Sequence, residues 1–348
     1  TNRRDASVRF RLPSPDMTRR PSPALSLWLL FIVLSVTWGS SYFFIKVGVE
    51  EGLQPFTLIA WRLGIAIAAL LALVALTGSR LPRDPATLAR LAFLGVINVA
   101  IPFALITWAE QYIGSALASI LQGLVPLFAI VFAGLVLHDE PITVNRIVGL
   151  VVGFAGAVLL LGRHLVPTAG SDPTMELVGE LAVVASCVSY AAAGVFIRRY
   201  FGGRPLVDDP RTGPRALRPV EIALPQNAAA FVLTAIAALV LERAPGGGIP
   251  VPPTGVAWLS VAWLGVLGSA VAYLMYFRIL DAWGVTRTSL VTYVMPLVGI
   301  VLGVMILRET IDAQVIAGTA LVIGGIGLVN SQFGQRRLFG RSAAVAPD

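Results

Sequence analysis

The sequence contains very few of the side chains on which most enzymes and metal proteins depend. Its 348 residues include one cysteine, Cys187, one lysine, Lys46, and two histidines, His138 and His164. A single cysteine excludes an intramolecular disulfide and any multi-cysteine metal site. The histidines lie at predicted span ends on opposite sides of the membrane, so they cannot be assembled into a triad or a buried metal cluster. We therefore expect no enzymatic activity, no metal and no cofactor.

Charged residues are also scarce. They make up 13% of the chain, whereas 56% of the residues are hydrophobic. This composition is too apolar for an ordinary soluble domain and indicates a protein whose main partner is the lipid bilayer. The phosphate-binding motif GxxxxGK[ST] is absent from the sequence, which excludes ATP-driven pumping by this chain.

Long apolar runs are abundant, and ten of them can cross a hydrocarbon core of about 30 Å as helices. The runs are continuously apolar, whereas barrel strands alternate between apolar and polar residues, so helices are favoured. We predict an all-α integral membrane protein. Its spans cover residues 27–47, 56–76, 88–109, 114–137, 142–162, 177–197, 221–241, 256–280, 285–307 and 311–330.

The arginines predict the orientation in the membrane. If the amino terminus is cytoplasmic, most of the 26 basic residues fall in cytoplasmic segments. Because basic residues are enriched on that side, both termini are predicted to be cytoplasmic. The net charge of +7 follows from this topology and indicates no nucleic-acid partner. The basic residues left over are Lys46, Arg163, Arg243 and Arg308 outside and Arg62 within a span.

The second half of the chain repeats features of the first. Two halves of five spans each must cross the membrane in opposite senses, which predicts an inverted-topology repeat with a substrate site near the midplane. The difference in residue number between matched positions increases along the chain, as expected if the second copy contains an insertion at 201–219. The matches are Leu94-Gly95-Val96 with Leu264-Gly265-Val266, Ser119 with Ser289, Pro126 with Pro296, Trp38 with Tyr190, Phe44-Ile45-Lys46 with Phe196-Ile197-Arg198, and Pro55 with Pro219.

Several of these motifs resemble the EamA family of the drug/metabolite transporter superfamily. They are the fourth and ninth spans with their exits, Trp38-Gly39-Ser40-Ser41 with Lys46, and Pro55 with Arg62. The resemblance covers roughly residues 27 to 330. It implies ten helices in a bacterial-type inner membrane and export or exchange of small metabolites, but it does not fix the substrate. The charged residues that follow these two spans differ between the copies: they are His138-Asp139-Glu140 in the first and Arg308-Glu309 in the second.

The resemblance and the spans together predict the organisation of a multi-pass protein of the inner membrane. We expect a disordered basic tail at 1–24, a first repeat at 25–163, a periplasmic linker at 164–176, a second repeat at 177–331 and a cytoplasmic tail at 332–348. The fifth and tenth spans have small-residue faces suited to close helix contacts, and whether the chain forms a homodimer is left open. These faces contain Gly149, Gly153, Gly156, Gly318, Gly324 and Gly327.

Prolines inside spans predict hinges, because proline removes one helical hydrogen bond and clashes with the preceding turn. The candidates are Pro102, Pro126 and Pro296. Polar residues precede two of them on one helix face: Ser115, Ser119 and Gln122 in the fourth span, and Val285, Ser289 and Thr292 in the ninth. The two stripes are predicted to line a central cavity. The alternative is that these small side chains only allow close helix packing.

Further polar and aromatic residues lie at mid-span, away from the interfaces where aromatic belts occur. Such residues suit a cavity for a small amphipathic or aromatic solute. The alternative is that each polar group is hydrogen-bonded by a neighbouring helix. The predicted substrate-binding residues are Trp38, Ser41, Asn98, Gln122, Ser189, Tyr190, Tyr273, Thr292 and Tyr293.

One ionisable residue within a span is Arg62, and such residues are functional candidates because their burial is costly. We expect it to form a structural or outer-gate pair with Glu110, and direct contact with a substrate carboxylate is the alternative. Lys46 is expected to pair with Glu50 four residues later. No Asp or Glu lies deep in a predicted span, which favours neutral, zwitterionic or anionic solutes.

The sequence therefore predicts a secondary transporter, an exporter or exchanger of small metabolites such as amino acids or aromatic solutes. Two alternatives remain. A non-transporting scaffold or sensor would have the same fold without flux. A nucleotide-sugar or sugar-phosphate carrier would need several cations facing the cavity, whereas Arg62 alone among the basic residues lies away from the ends of its predicted span.

Overall fold

A computed structural model describes residues 25–136, 142–161, 172–202, 204–209, 213–283, 288, 291–330 and 337–339. Within these residues, eight helices are long and apolar enough to cross a membrane. Two further apolar helices are shorter. The predicted tail at 1–24 and most of the predicted linker and carboxy-terminal tail lie outside the described residues.

The helices follow the predicted spans closely. The spanning helices are α1 (Leu25–Glu50), α2 (Pro55–Thr77), α3 (Pro85–Ala109), α4 (Ser115–Val136), α5 (Val144–Leu161), α6 (Pro173–Tyr200), α7 (Pro219–Leu241) and α8 (255–283). The two shorter apolar helices are α9 (Val291–Met305) and α10 (Ala313–Val329). Two small antiparallel pairs join β1 (Ile142–Thr143) to β4 (Arg337–Phe339) and β2 (Val207–Asp209) to β3 (Gly213–Arg215).

Local sequence signals set where the helices begin. Pro55, Pro85, Pro173 and Pro219 each stand in the first turn of a helix, where the missing N–H of proline costs nothing. Asp172 accepts hydrogen bonds from the first turn of α6, so that helix begins at Pro173, earlier than the predicted 177. Part of the predicted linker is therefore helical.

A second aspartate cap stands before α3. The Asp84 carboxylate accepts hydrogen bonds from both the hydroxyl and the backbone N–H of Thr87, each at 2.8 Å. The Thr87 hydroxyl and amide stabilise the charged form and lower the pKa of Asp84. This cap fixes the start of the helix that contains Asn98 and Pro102.

Three helices are irregular near their centres. In α4, residues Gln122–Leu124 form a 3₁₀ turn, and the cause is Pro126, which has no N–H to give to the Gln122 carbonyl. Val125 donates to that carbonyl instead. Helices α3 and α8 contain π-helical segments at Val96–Ala100 and Trp263–Val271. Pro296 lies inside α9 without interrupting the α-helix.

Several of the main helix contacts recur when each helix is replaced by the one five positions along. Helix α1 packs on α8 and α9, and correspondingly α6 packs on α3 and α4. Helix α2 packs on α8, and α7 packs on α3. The pairs α2 with α7, α4 with α9 and α5 with α10 each map onto themselves.

Acidic side chains after α7 and α9 cap helices of the first half. The Glu242 carboxylate accepts hydrogen bonds from the backbone N–H groups of Phe56 and Thr57 at the start of α2. The Glu309 carboxylate accepts from the N–H and hydroxyl of Ser115 and from the N–H of Ala116. Because helix N-termini carry unsatisfied donors and partial positive charge, these contacts stabilise the junction between the halves.

The outer surface is apolar where lipid is expected. Leu76, Val151, Val158, Val240 and Leu241 are highly exposed in the isolated chain. Inside, a large cluster of buried aliphatic residues connects α1, α4, α6 and α10. An apolar rim around an apolar core is what the bilayer requires of a multi-pass protein.

Glycines of the fifth helix lie against another helix of the same chain. A Cβ at Gly156 would lie 2.8 Å from the Gly318 carbonyl oxygen, and one at Gly149 would lie 2.6 Å from the Gly325 carbonyl oxygen. These glycines therefore permit the close approach of α5 and α10. A Cβ at Gly324 or Gly327 would meet nothing within 4 Å, and homodimerisation stays a prediction.

Candidate functional site

Polar and aromatic side chains from five helices meet near the middle of the bundle. We call this group the central cluster: Trp38 from α1, Arg62 from α2, Asn98 and Phe103 from α3, Gln226 from α7, and Ser269 and Tyr273 from α8. Trp38, Asn98 and Tyr273 were predicted from their depth in the spans. The cluster lies where α1, α2, α3, α7 and α8 pack together.

An amide and phenol network forms one side of the central cluster. The Asn98 side-chain amide donates to the Gln226 side-chain oxygen at 3.2 Å. The Tyr273 hydroxyl is hydrogen-bonded to the side chains of both Gln226 and Asn98. Gln226 is 1% exposed, so its polar atoms are satisfied by protein rather than by water. The network fixes the orientation of the Tyr273 ring.

Trp38 forms the aromatic wall beside this network. Its ring centroid lies 6.2 Å from that of Tyr273 in an edge-to-face arrangement and 5.4 Å from that of Tyr276. The Trp38 indole N–H donates to the Gly268 carbonyl at 3.3 Å. Ser41, predicted one turn away, is buried, and its hydroxyl donates to the Thr37 carbonyl. Trp38 is therefore held both by ring contacts and by the backbone of α8.

The two π-helical segments supply backbone acceptors at this depth. Gly268, which receives the Trp38 indole N–H, lies within the π-helical segment of α8. The Ser189 hydroxyl donates to the Ile97 carbonyl of the α3 segment at 2.6 Å. Wider π turns release carbonyls from the regular helix ladder and occur often at functional sites. In a membrane the released groups need partners, and Trp38 and Ser189 provide them.

Arg62 forms the other side of the central cluster. Its Nε donates to the Ser269 hydroxyl at 2.9 Å, and its Cζ lies 3.8 Å from the centroid of the Phe103 ring. The residue is 4% exposed. Tyr190, Tyr273 and Tyr42 lie within electrostatic range of the guanidinium. Tyr190, predicted from the sixth span, therefore borders the central cluster, although no described hydrogen bond joins it to Arg62.

Arg62 and Glu110 do not form the expected ion pair within the described residues. Arg62 donates to Ser269 instead, and both carboxylate oxygens of the fully buried Glu110 lack a hydrogen-bond partner in the described part of the chain. The two residues interact only through longer-range electrostatics. Their positions in the predicted spans put Arg62 and Glu110 at similar depths in the membrane. Depth does not show which face of its helix each side chain occupies.

The Lys46 side chain binds backbone carbonyl groups just after the end of α3. Its ammonium donates to the carbonyls of Glu110 and Ile113 at 2.8 and 3.1 Å. The expected pair with Glu50 is confirmed at 4.0 Å. An open cleft of about 380 Å³ beside these residues is also lined by Glu176, Arg308 and Glu309.

The polar stripe of α4 makes contacts between helices. Gln122 is buried, and its side-chain oxygen accepts a hydrogen bond from the Ser186 hydroxyl of α6 at 3.1 Å. The Ser119 hydroxyl donates to the Ala116 carbonyl, and Ser115 is bonded to Glu309. These contacts favour the packing interpretation of the stripe over cavity lining.

The corresponding stripe of α9 is described only in part. Val285 and Ser289 lie outside the described residues. Thr292 is partly buried on α9, and the Tyr293 hydroxyl donates to the Ile326 carbonyl of α10 at 3.0 Å. Tyr293 therefore faces α10 rather than the central cluster.

Comparison with known proteins decides the family. The sequence profile of the EamA-like transporter family matches residues 26–162 and 177–331, which are most of the chain. The chain belongs to the EamA-like transporter family. As an EamA-like transporter it is a multi-pass membrane protein and not an enzyme, as the names of its relatives also indicate.

Relatives of this EamA-like transporter extend over nearly its whole length. An uncharacterised transporter from Archaeoglobus fulgidus is 25% identical, covering 87% of this chain and 98% of its own. The inner membrane transporter YedA of Escherichia coli K12 is 24% identical, covering 93% and 95%. A probable terminal-alkyne amino-acid exporter from Streptantibioticus cattleyicolor is 27% identical, covering 90% and 96%. A protein crystal structure at 21% identity shares the fold, with a TM-score of 0.60 over 91% of this chain and 99% of the other.

Three members of the central cluster were missed in the sequence: Gln226, Phe103 and Ser269. The internal repeat contained the signal for the first two. The offset that aligns Pro55 with Pro219 also aligns Arg62 with Gln226, and the offset that aligns Leu94 with Leu264 aligns Phe103 with Tyr273.

Proposed function

We propose that this EamA-like transporter is a secondary carrier that moves small metabolites, such as amino acids or amphipathic aromatic solutes, by alternating access. The observation that supports this function best is the central cluster, where indole, phenol, amide and guanidinium groups from five helices converge. A few directional polar groups within aromatic walls are typical of small-molecule sites. Export or exchange is the proposed direction.

We propose further that ten spans form two inverted five-helix repeats. The support is the set of main helix contacts that recur when the halves are exchanged, such as α1 with α8 and α6 with α3. Helices α3 and α8, which correspond in the repeat, both contain π-helical segments at matching positions. In such repeats, alternating access exchanges the conformations of the halves around a fixed site. Pro102, Pro126 and Pro296 are proposed hinges, and Glu110 a proposed gate residue.

The proposed location is the inner membrane, with both termini in the cytoplasm. The distribution of arginines supports this orientation. YedA, a relative of similar length, is named as an inner membrane transporter.

Amino acids are proposed among the solutes for two reasons. The Streptantibioticus relative is named as a probable amino-acid exporter. The central cluster also offers both a cation and aromatic surfaces within one site. Nucleotide sugars are disfavoured because their phosphates need several cations, and Arg62 is the one arginine of the central cluster.

The test is solute flux through the purified protein. Proteoliposomes are loaded with labelled amino acids, aromatic metabolites and a nucleotide sugar, and efflux is followed for the native chain, Trp38→Ala and Trp28→Ala. Trp28 is the matched control because it packs on Trp283 and is 45% exposed. We expect selective efflux that falls at least about tenfold in Trp38→Ala and persists in Trp28→Ala.

Other outcomes would redirect the assignment. Efflux of the nucleotide sugar alone would support the phosphate-carrier alternative. If folded native protein moved no solute of the panel, the proposed carrier would be rejected in favour of a scaffold or sensor.

A further inference from the structure

The central cluster consists of two half-sites that correspond in the repeat but differ in charge. One contains Arg62 and Phe103, and the other contains Gln226 and Tyr273 at the aligned positions. In each half-site the polar side chain contacts the aromatic one: Arg62 lies over the Phe103 ring, and Gln226 is hydrogen-bonded to Tyr273. The same framework therefore presents a cation on one side and an amide on the other.

The amide half-site is satisfied by the protein itself. The Gln226 oxygen accepts from Asn98, and the Tyr273 hydroxyl is bonded to both amides. A polar group of a solute would have to displace these bonds. This half-site is therefore suited to hold an apolar or aromatic body beside the Trp38 and Tyr273 rings, which lie 6.2 Å apart.

The cationic half-site has unused donors. A guanidinium has five N–H donors, and within the described residues Arg62 uses one of them, the Nε donor to Ser269. No carboxylate of the described chain lies within salt-bridge distance of Arg62. A buried cation without an anion is unfavourable, and the Phe103 ring provides only part of the missing stabilisation. The two terminal nitrogens of Arg62 are thus available for an external anion.

We propose that Arg62 binds the carboxylate of the transported solute, whose apolar or aromatic body packs against Trp38 and Tyr273. This inference rests on the proposed carrier function and narrows its substrate class to small monocarboxylates and amino acids. The fork of a guanidinium matches the two oxygens of a carboxylate. A single such group fits one carboxylate better than a diphosphate, which needs several cations.

The test compares three probes that share one aromatic body. Phenylalanine has a carboxylate, phenylalanine amide has a neutral amide in its place, and phenethylamine has neither. Efflux from proteoliposomes is measured for the native chain, Arg62→Lys and Arg62→Gln. We expect the native chain to transport phenylalanine faster than the other two probes. In Arg62→Gln the ratio of phenylalanine efflux to phenylalanine amide efflux is expected to fall about tenfold, and in Arg62→Lys part of the ratio is expected to remain.

A charge exchange within the repeat keeps the inference falsifiable if Arg62→Gln folds poorly. The double variant Arg62→Gln with Gln226→Arg moves the cation to the aligned position while the composition stays the same. We expect it to recover a preference for phenylalanine over phenylalanine amide. Thermal unfolding in detergent verifies that each variant is folded.

The outcomes separate this inference from the carrier function. Equal efflux of all three probes, or equal loss of all three in folded Arg62→Gln, would overturn the assignment of Arg62 and leave the carrier standing. Preference for phenethylamine would also overturn it. If the native chain moved none of the three probes, the narrowed substrate class would be rejected, and the wider panel described above would decide whether the carrier function fails as well.

Discussion

At the scale of single residues, the central cluster shows how polar groups are accommodated at mid-membrane depth. Tyr273, Gln226 and Asn98 satisfy one another, as buried polar groups must when no water is at hand. Arg62 is the exception, since it is buried with one hydrogen bond and one aromatic contact in the described chain. Burying such an unbalanced group is unfavourable, and a bound anionic group would offset this cost.

The phenol of Tyr273 contributes to stability as well as to the site. Tyr273→Phe removes the hydroxyl bonded to Gln226 and Asn98 and is expected to lower the free energy of unfolding by about 1 kcal/mol. Thermal unfolding in detergent measures the change. Tyr112→Phe is the matched control, because Tyr112 is 38% exposed and makes a ring contact with Trp108. Equal stability of the two variants would contradict the described network.

Of the residues predicted from their depth in the spans, Trp38, Asn98 and Tyr273 lie in the central cluster, but depth alone could not show which helix face a residue occupies. Gln122 and Tyr293 lie at suitable depths and contact α6 and α10 instead. Arg62 and Glu110 were expected to pair and do not, for the same reason. Which faces meet is set by the packing of helices distant in sequence.

At the scale of elements, the irregular turns differ in how far they could be predicted. Pro126 directly explains the 3₁₀ turn of α4, because it cannot donate to the Gln122 carbonyl. Pro102 stands just after the π-helical segment of α3, whereas the corresponding segment of α8 contains no proline. That second segment had no signal of its own in the sequence.

The contact between α5 and α10 depends on glycine at particular positions. Gly156→Ala is expected to lower the free energy of unfolding by about 1–3 kcal/mol, because its Cβ would lie 2.8 Å from the Gly318 carbonyl oxygen and from the Leu321 Cβ. The control is Gly134→Ala in α4, where a Cβ meets nothing within 4 Å and alanine favours the helix. Unfolding of both variants in detergent measures the difference. Loss of stability in the control alone would contradict the described packing.

At the scale of the whole molecule, the apolar helices could be predicted from the sequence because long apolar runs leave few alternatives in a membrane. The family could be predicted because its motifs occur in the sequence. The main helix contacts that recur when the halves are exchanged support the proposed repeat. They also place the central cluster between α1, α2 and α3 of one half and α7 and α8 of the other. If the halves form the proposed inverted repeat, a site between them is what alternating access requires.

The most direct test of alternating access is the accessibility of one central position from each side of the membrane. Ser41 is buried on the Trp38 side of the site, and a Cβ at Gly268 would lie 3.2 Å from its hydroxyl oxygen. In a Cys187→Ser background, Ser41→Cys is treated with a membrane-impermeant maleimide in right-side-out and inside-out vesicles. Alternating access predicts labelling from both sides, slowed in each case by a transported solute. Labelling from one side only, or from neither, would contradict it.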